Sequence, residues 1–568
     1  MPCAAFMTTK GKGKGAMAVA HLLHLFGRGR QRIFDEIQFR EFSKLVRGTS
    51  TADAGACQEP QKTVMIDGND HEIIWATRWS VLIQPLLRNG YRPIVLTRKT
   101  SVIQNKYYRL FGCRNFWFID DFFDKKDLPP ELLQKVDELL GSCDMKELLE
   151  FTYKGLPVGK ITLSGYSRYQ LRGNIDYASA AEKEGIRRLL CQNLKFAHHA
   201  QDFLEIPDVY ITSEAFHDEH GIFYYYMLNK GVDVLKTNLS VIDDRVLIQR
   251  RNKANDGMHH NTVTSETFER IVNDKDIKIE AVREFVETNF AERYSDKWHL
   301  SKRNFRNTEL ASRQHLVEKY GLSPQKRIAT IFSHILYDTL YFFEKELYTN
   351  YAEWLVDTVG VAIENKHVNW LLKLHPSNAW RGEYRDKAEY EEARIVMEAF
   401  GDLPDHVKLI YPSTPVNPLS WIRHSDFGIT VRGSIGMELP CFGNNVITAA
   451  SGRYAGLGFT IDPQSRQEYR DLLRNLHNIP PMTEEKIRLA LYYYYAIFAL
   501  KPIRLSMLKP VIRRGFKEVR LFGSLCCMPE GPIRLGAEEY PPEIESFARW
   551  AENKRSVDYV LDWEKYAD

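Results

Sequence analysis

Short apolar runs bounded by turn residues alternate along this chain with longer stretches whose apolar positions recur at helical spacing. Residues 63–67 and 93–97 read as buried strands, and 73–89 as the helix between them, closed by Gly90. Further strands are predicted at 115–119, 208–212 and 232–235, with a helical region over 182–200. Residues 250–326 are polar and charged, with helical patches such as 281–293, and read as a connector. The pattern then resumes more plainly. Strands are predicted at 327–332, 369–374, 407–411, 427–431 and 445–449. Helices are predicted at 351–364, 388–400 (stopped by Gly401), 418–424 and 435–442 (stopped by Gly443). From Thr483 onward the chain reads as mainly helical.

Strands that alternate with helices imply parallel sheets covered by helices, an α/β class. The five-strand array of the second half is expected to be a doubly wound unit. The organisation that follows is a basic arm over 1–59, a first α/β domain over 60–260, a connector over 261–326, a second α/β domain over 327–482 and a helical region over 483–568. No internal repeat of fixed period is visible.

Composition narrows the picture. The 568 residues are 44% hydrophobic and 27% charged, enough for more than one packed core. A net charge of +3, from 77 basic and 74 acidic side chains, lacks the basic excess of a nucleic-acid binder. The cysteines form no CxxC pair, so they read as reduced thiols of a cytoplasmic protein. Residues 1–34 contain no acidic side chain but include Lys10, Lys12, Lys14, Arg28, Arg30 and Arg32, the composition of a frayed basic arm or a peripheral membrane-surface segment. The apolar stretch at 489–500, with tyrosine at each position from Tyr492 to Tyr495, is shorter than the roughly 18 residues of a spanning helix and reads as buried or interfacial.

In open α/β sheets ligands bind beyond the carboxyl ends of the strands, and three such ends carry chemistry. The first is Lys373-Leu374-His375-Pro376-Ser377-Asn378, where proline stops the strand and an imidazole can hydrogen-bond a phosphate. The second is Arg432-Gly433-Ser434, a small-residue turn into a helix whose first N–H groups attract an anion. Glu438, one turn on, shares a face with Ser434 and is a candidate acceptor for ribose hydroxyls. The third is the loop 450–460, with Gly452, Gly456, Gly458 and a phosphate-seeking Arg453. Ser333 and His334, at the end of the first strand of this half, are added to the donor side. In the first half, Asp67 and Asp70 follow the first strand and are candidates for a general base. Arg168 and Arg172, four apart on a predicted helix, and Glu214 and His217, after a strand, are candidates for the acceptor side. Aspartates at strand ends do not form a metal-binding DxD, so no catalytic metal and no cofactor are expected.

The run Lys373-Leu374-His375-Pro376, followed by 433–438 and then 443–447, resembles the capsule polysaccharide biosynthesis family, related to bacterial Kdo transferases and sialyltransferases. The resemblance is clearest over 325–465. It implies a GT-B fold, two Rossmann-like lobes with the active site in the cleft between them. It also implies a nucleotide-sugar donor, often a CMP-sugar, held by His375 and Ser434, with inversion at the transferred carbon. The acceptor would be a surface polysaccharide or glycolipid. Many relatives carry two adjacent hydroxyl residues where this chain has Gly433 before a single Ser434, which leaves the nucleotide open. A nucleotide-sugar 2-epimerase, a CDP-polyol phosphotransferase and a non-catalytic assembly scaffold are the competing readings.

Overall fold

In a computed structural model the chain is described over residues 31–48, 62–69, 72–142, 144–295, 297–298, 305, 307–343, 346–378, 390–449, 452–512 and 525–567. It divides into two compact units. One comprises the described parts of 1–126, 205–213 and 504–552, the other those of 127–204, 214–503 and 553–568. The basic arm and Asp70 fall mainly or wholly outside the described residues.

The first unit is built on four parallel strands, β1 (Lys62–Asp67), β2 (Tyr91–Thr97), β3 (Asn115–Phe118) and β4 (Val209–Thr212), in the order β4-β1-β2-β3. The helix predicted over 73–89 is two helices, α1 (Ile73–Leu82) and a second over Gln84–Arg88. Pro85 sits in the first turn of the second, where a missing N–H costs nothing. An antiparallel strand pair, Leu508–Ile512 with Leu525–Pro529, also belongs here. The C-terminal region is therefore not helical throughout: strand-forming Val511, Ile512 and Leu525 interrupt it before the helix Pro542–Asn553.

The second unit opens with helices α2 (Val158–Gln170), α3 (Ala180–Phe203) and α4 (Asp218–Asn229). The strand predicted at 232–235 is longer, β5 (Asp233–Leu239), and pairs antiparallel with β6 (Arg245–Arg251), whose terminal arginines disguise it in the sequence. The expected connector contributes packed helices, among them α5 (Ile279–Arg293). The following array alternates as predicted: β7 (Ile328–Phe332), α6 (Tyr351–Glu364), β8 (Asn369–Lys373), α7 (Glu391–Phe400), β9 (Val407–Ile410), α8 (Pro418–His424), β10 (Phe427–Thr430), α9 (Ile435–Glu438) and β11 (Asn445–Thr448). These strands form one parallel sheet in the order β9-β8-β7-β10-β11. The order reverses between β7 and β10, the position where a doubly wound sheet opens a crevice at its carboxyl edge.

Every residue of β8 is buried, as expected of a central parallel strand covered on both faces. Leu371 packs with Leu316, Leu322, Ile328, Ile410, Val416 and Trp421. The tyrosine-rich helix α10 (Glu484–Tyr495) is a core element: Tyr492, Tyr493 and Tyr494 are buried, and their hydroxyls bond the Ile277 carbonyl, the Arg453 carbonyl and Asn289. No helix among the described residues is long and apolar enough to cross a membrane.

Leu371→Ala should lower unfolding free energy by about 2–5 kcal/mol through the cavity it leaves. Leu310→Ala, at an exposed position, should change it by about 0.5 kcal/mol or less. Chemical denaturation of both variants tests the contrast, and equal midpoints would refute the packing assignment.

Candidate functional site

The crevice between β7 and β10 is spanned by one imidazole. His334, just past β7, uses Nε2 to accept the backbone N–H groups of Val431 (3.2 Å) and Arg432 (3.4 Å), and the Thr430 hydroxyl lies 3.1 Å from the same nitrogen. An accepting Nε2 places the ring proton on Nδ1. Burial, with Arg432, His375 and Arg453 nearby, pushes this ring well below the usual histidine range, so it stays neutral. Its face stacks on Tyr351, with centroids 4.7 Å apart and planes 13° apart. Thr430 Oγ1 also accepts the Gly433 N–H at 3.2 Å. The turn after β10 is thus shaped from both sides.

His375 follows β8. Its Nδ1 accepts the Ser377 N–H at 3.2 Å, which puts the proton on Nε2 and makes that atom the donor. A residue missed in the sequence organises this loop. Glu392, in the first turn of α7 and 2% exposed, accepts from Asn378, from the Ser333 hydroxyl at 3.3 Å and from the His375 backbone N–H. Burial pushes its carboxyl up to about 7. Ser333 and Asn378 therefore brace the loop through Glu392. Lys373 is 5% exposed. Among the described residues no carboxylate is paired with it, and burial pushes its ammonium down to about 8.

Ser434 begins α9 in helical conformation without capping it; its hydroxyl instead accepts from Arg293 Nη2 at 3.2 Å. Glu438 requires a correction. It is 0% exposed, sits 2.8 Å from Arg293 Nη2 and accepts the Tyr294 hydroxyl, so it is an internal counter-ion and not an open acceptor for ribose. Arg293 and Tyr294 come from the stretch read as a connector, and the only sequence signal for them was a basic residue in the last turn of a helix.

The loop around Arg453 packs onto the same turn. Tyr454 donates to the Gly433 carbonyl at 2.8 Å, and a Cβ on Gly452 would meet the Arg432 Cα at 3.4 Å. Gly456 and Gly458 have φ of +80° and +90°, which explains the glycines. Arg432 is 4% exposed, bonds Glu346 through Nη2, and has Nε and Nη1 buried without hydrogen-bond partners. Burial pushes it down to about 9, against Tyr454 and with Arg453. The Nε of Arg453 is also buried and unbonded. The structure therefore brings together His334, Arg432, Gly433, Ser434 and Arg453, and His375 is close enough to His334 to shift it.

Of the residues expected on the acceptor side, Arg168 Nη1 meets Glu214 at 2.9 Å, and the Ser164 hydroxyl lies 3.2 Å from His217 Nδ1. Burial pushes His217 down to about 3, against the pull of Glu214. Arg172 does not join them. Helix α2 ends at Gln170, Leu171 takes φ +51°, and Arg172 turns to Glu182 at 2.9 Å. The two arginines therefore share no helix face. Asp67, in the first unit, is 1% exposed, and its Oδ2 accepts the hydroxyls of Tyr210 and Thr212, each at 3.1 Å.

No protein-family model matches the chain, and no curated protein matches it. Solved structures do. A Thermosulfurimonas dismutans β-Kdo 2,4-transferase shares 15% identity at a TM-score of 0.31, over 52% of this chain and 79% of that one. A Neisseria meningitidis UDP-GlcNAc 2-epimerase shares 11% at 0.26, over 77% and 96%. The glycosyltransferase VinC shares 12% at 0.21, over 76% and 93%. Likenesses this loose carry no argument about chemistry, which rests on the site itself.

Two outcomes follow. Glu438→Gln should cost about 3–5 kcal/mol, because it leaves Arg293 buried without its counter-charge; unaltered denaturation would refute that pairing. Glu392 is raised in the folded chain from 4.5 to about 7. Its contribution to stability is fully present below 4.5 and lost as pH rises through about 7. Glu392→Gln should remove that decline, read as the difference between two stability-versus-pH curves.

Proposed function

We propose that this chain is a GT-B glycosyltransferase, moving a sugar from a nucleotide-sugar to a surface polysaccharide or glycolipid acceptor without a metal. One observation carries the reading. At the switch point of the second unit's sheet, a neutral His334 shapes the turn Val431–Ser434, and the Arg432 guanidinium beside it is buried with donors unused. Buried cationic donors without partners at the carboxyl edge of a doubly wound sheet suit a phosphate. A CMP-sugar is one candidate donor, and the nucleotide is left to experiment.

In the proposed step the bond from the sugar's anomeric carbon to the leaving phosphate oxygen breaks as the acceptor oxygen bonds that carbon from the opposite face, with inversion. His375 donates from Nε2 to the leaving phosphate. Ser434 and Arg432 share its charge, and Lys373 and Arg453 add positive potential. The acceptor proton passes to a carboxylate. Asp67 was the first expectation for that role, but it is buried and two hydroxyls bond its Oδ2. Asp218 is the better placed candidate: it holds φ +49°, among the described residues only the Tyr169 hydroxyl bonds its Oδ2, its Oδ1 is buried without a hydrogen-bond partner, and burial pushes it up to about 6. It also feels the charge of Arg168, on the proposed acceptor side. A cytoplasmic enzyme at the membrane surface is consistent with such an acceptor.

A thermal-shift screen over CMP-, CDP-, UDP- and GDP-sugars should reveal one stabilising donor, since ligand at 100 times Kd adds about 2.7 kcal/mol. With that donor, His375→Ala should reduce transfer by about 10²–10³ while leaving the unfolding midpoint in place. Undiminished turnover would sink the reading. Conversion of the donor without an acceptor would mark an epimerase instead.

A further inference from the structure

Two histidines that the sequence reading passed over, His259 and His260, lie beside the unsatisfied arginines. Arg453 and Arg432 both help depress His259, after burial. His259 Nδ1 accepts the Asn261 N–H at 3.1 Å, so its proton sits on Nε2. His260 Nδ1 is buried without a hydrogen-bond partner. The two rings stack, with centroids 4.4 Å apart.

Against this group lies a segment of the chain's own loop between β7 and α6. The Phe343 ring is nearly parallel to His259, with centroids 5.1 Å apart and planes 17° apart, and the Arg432 guanidinium stands 4.2 Å from its centroid. Phe342 packs on Phe216 at 4.8 Å, and Lys236 Nζ lies 5.1 Å from the Phe216 ring. Three residues after Phe343, Glu346 bonds Arg432. The cavity beside Glu346, Tyr351, Trp354 and Arg432 measures only about 10 Å³, no more than one water needs. The backbone leading in is strained: Thr339 and Tyr341 have φ of +53° and +75°, values that β-branched and aromatic residues disfavour. A flat ring on His259 and a carboxylate on Arg432 reproduce the two halves of a nucleotide.

We propose that Phe343 and Glu346 occupy the nucleotide's own seat, the ring standing where a planar base stacks on His259 and the carboxylate where a phosphate binds Arg432. The inference rests on the nucleotide-sugar reading and adds its base-binding residue and a built-in competitor. Binding then exchanges the protein's groups for the ligand's. A phosphate, with more acceptor oxygens than one carboxylate, can also satisfy the idle Nε and Nη1 of Arg432.

Calorimetry on the full chain with CMP, UDP and inorganic pyrophosphate tests this. Glu346→Gln should tighten all three about tenfold. Phe343→Leu, which keeps an apolar side chain but loses the flat ring, should tighten the nucleotides more than pyrophosphate. His259→Leu should weaken the nucleotides about tenfold through lost stacking and leave pyrophosphate unchanged. If wild type binds a nucleotide and Glu346→Gln brings no gain, the competitor is overturned. If His259→Leu leaves nucleotide affinity intact, the base seat is overturned. If no nucleotide binds any variant but Glu346→Gln still gains pyrophosphate affinity, the transferase reading falls while the competition at Arg432 stands.

Discussion

Reversing strand order in a parallel sheet leaves two neighbouring strands whose connections depart to opposite faces, and the gap at their ends has to be filled without stranding backbone polar groups. Here the gap lies between β7 and β10. An imidazole fills it by accepting two successive N–H groups after β10. That arrangement requires His334 to be neutral, and burial among cationic neighbours enforces neutrality. The Arg432–Ser434 turn, the packing of Tyr454 on it and the reach of Arg293 from α5 all build on that fixed backbone.

The second unit's sheet was legible because its strands are short apolar runs and its helices strongly periodic; α6 falls at the predicted 351–364. What escaped depended on contacts distant in sequence. Glu438 shares a face with Ser434 in the sequence, yet its environment is set by Arg293, far earlier in the chain. Arg172 follows Arg168 by one helical turn, but Leu171 leaves the helix between them. β6 went unseen because its buried arginines read as solvated surface. Glu392 carries no motif in the sequence, and only the fold sets it under the His375 loop.

The buried charges fall into two groups that differ in kind. Arg293 with Glu438, and Lys501 with Asp558, are closed pairs within the core. Lys373 and Arg432 are cations whose charged forms burial disfavours and whose donors are unpaired or only partly used. The first kind serves the fold. The second is costly to the isolated chain, and on the proposed reading a bound phosphate would offset that cost.

The tyrosines of α10 bear on modularity. The carbonyl of Arg453 is held by Tyr493, and Thr262 also donates to it. The shape of the loop after β11 is therefore encoded both well before and well after the sheet it serves. A fragment cut to the visible βα array would keep its strands and its conspicuous motifs yet lose the clamps on that loop. The smallest autonomous version of this half is larger than its recognisable part, and recombining such arrays between proteins would have to carry α10 and the segment around Thr262 along with them.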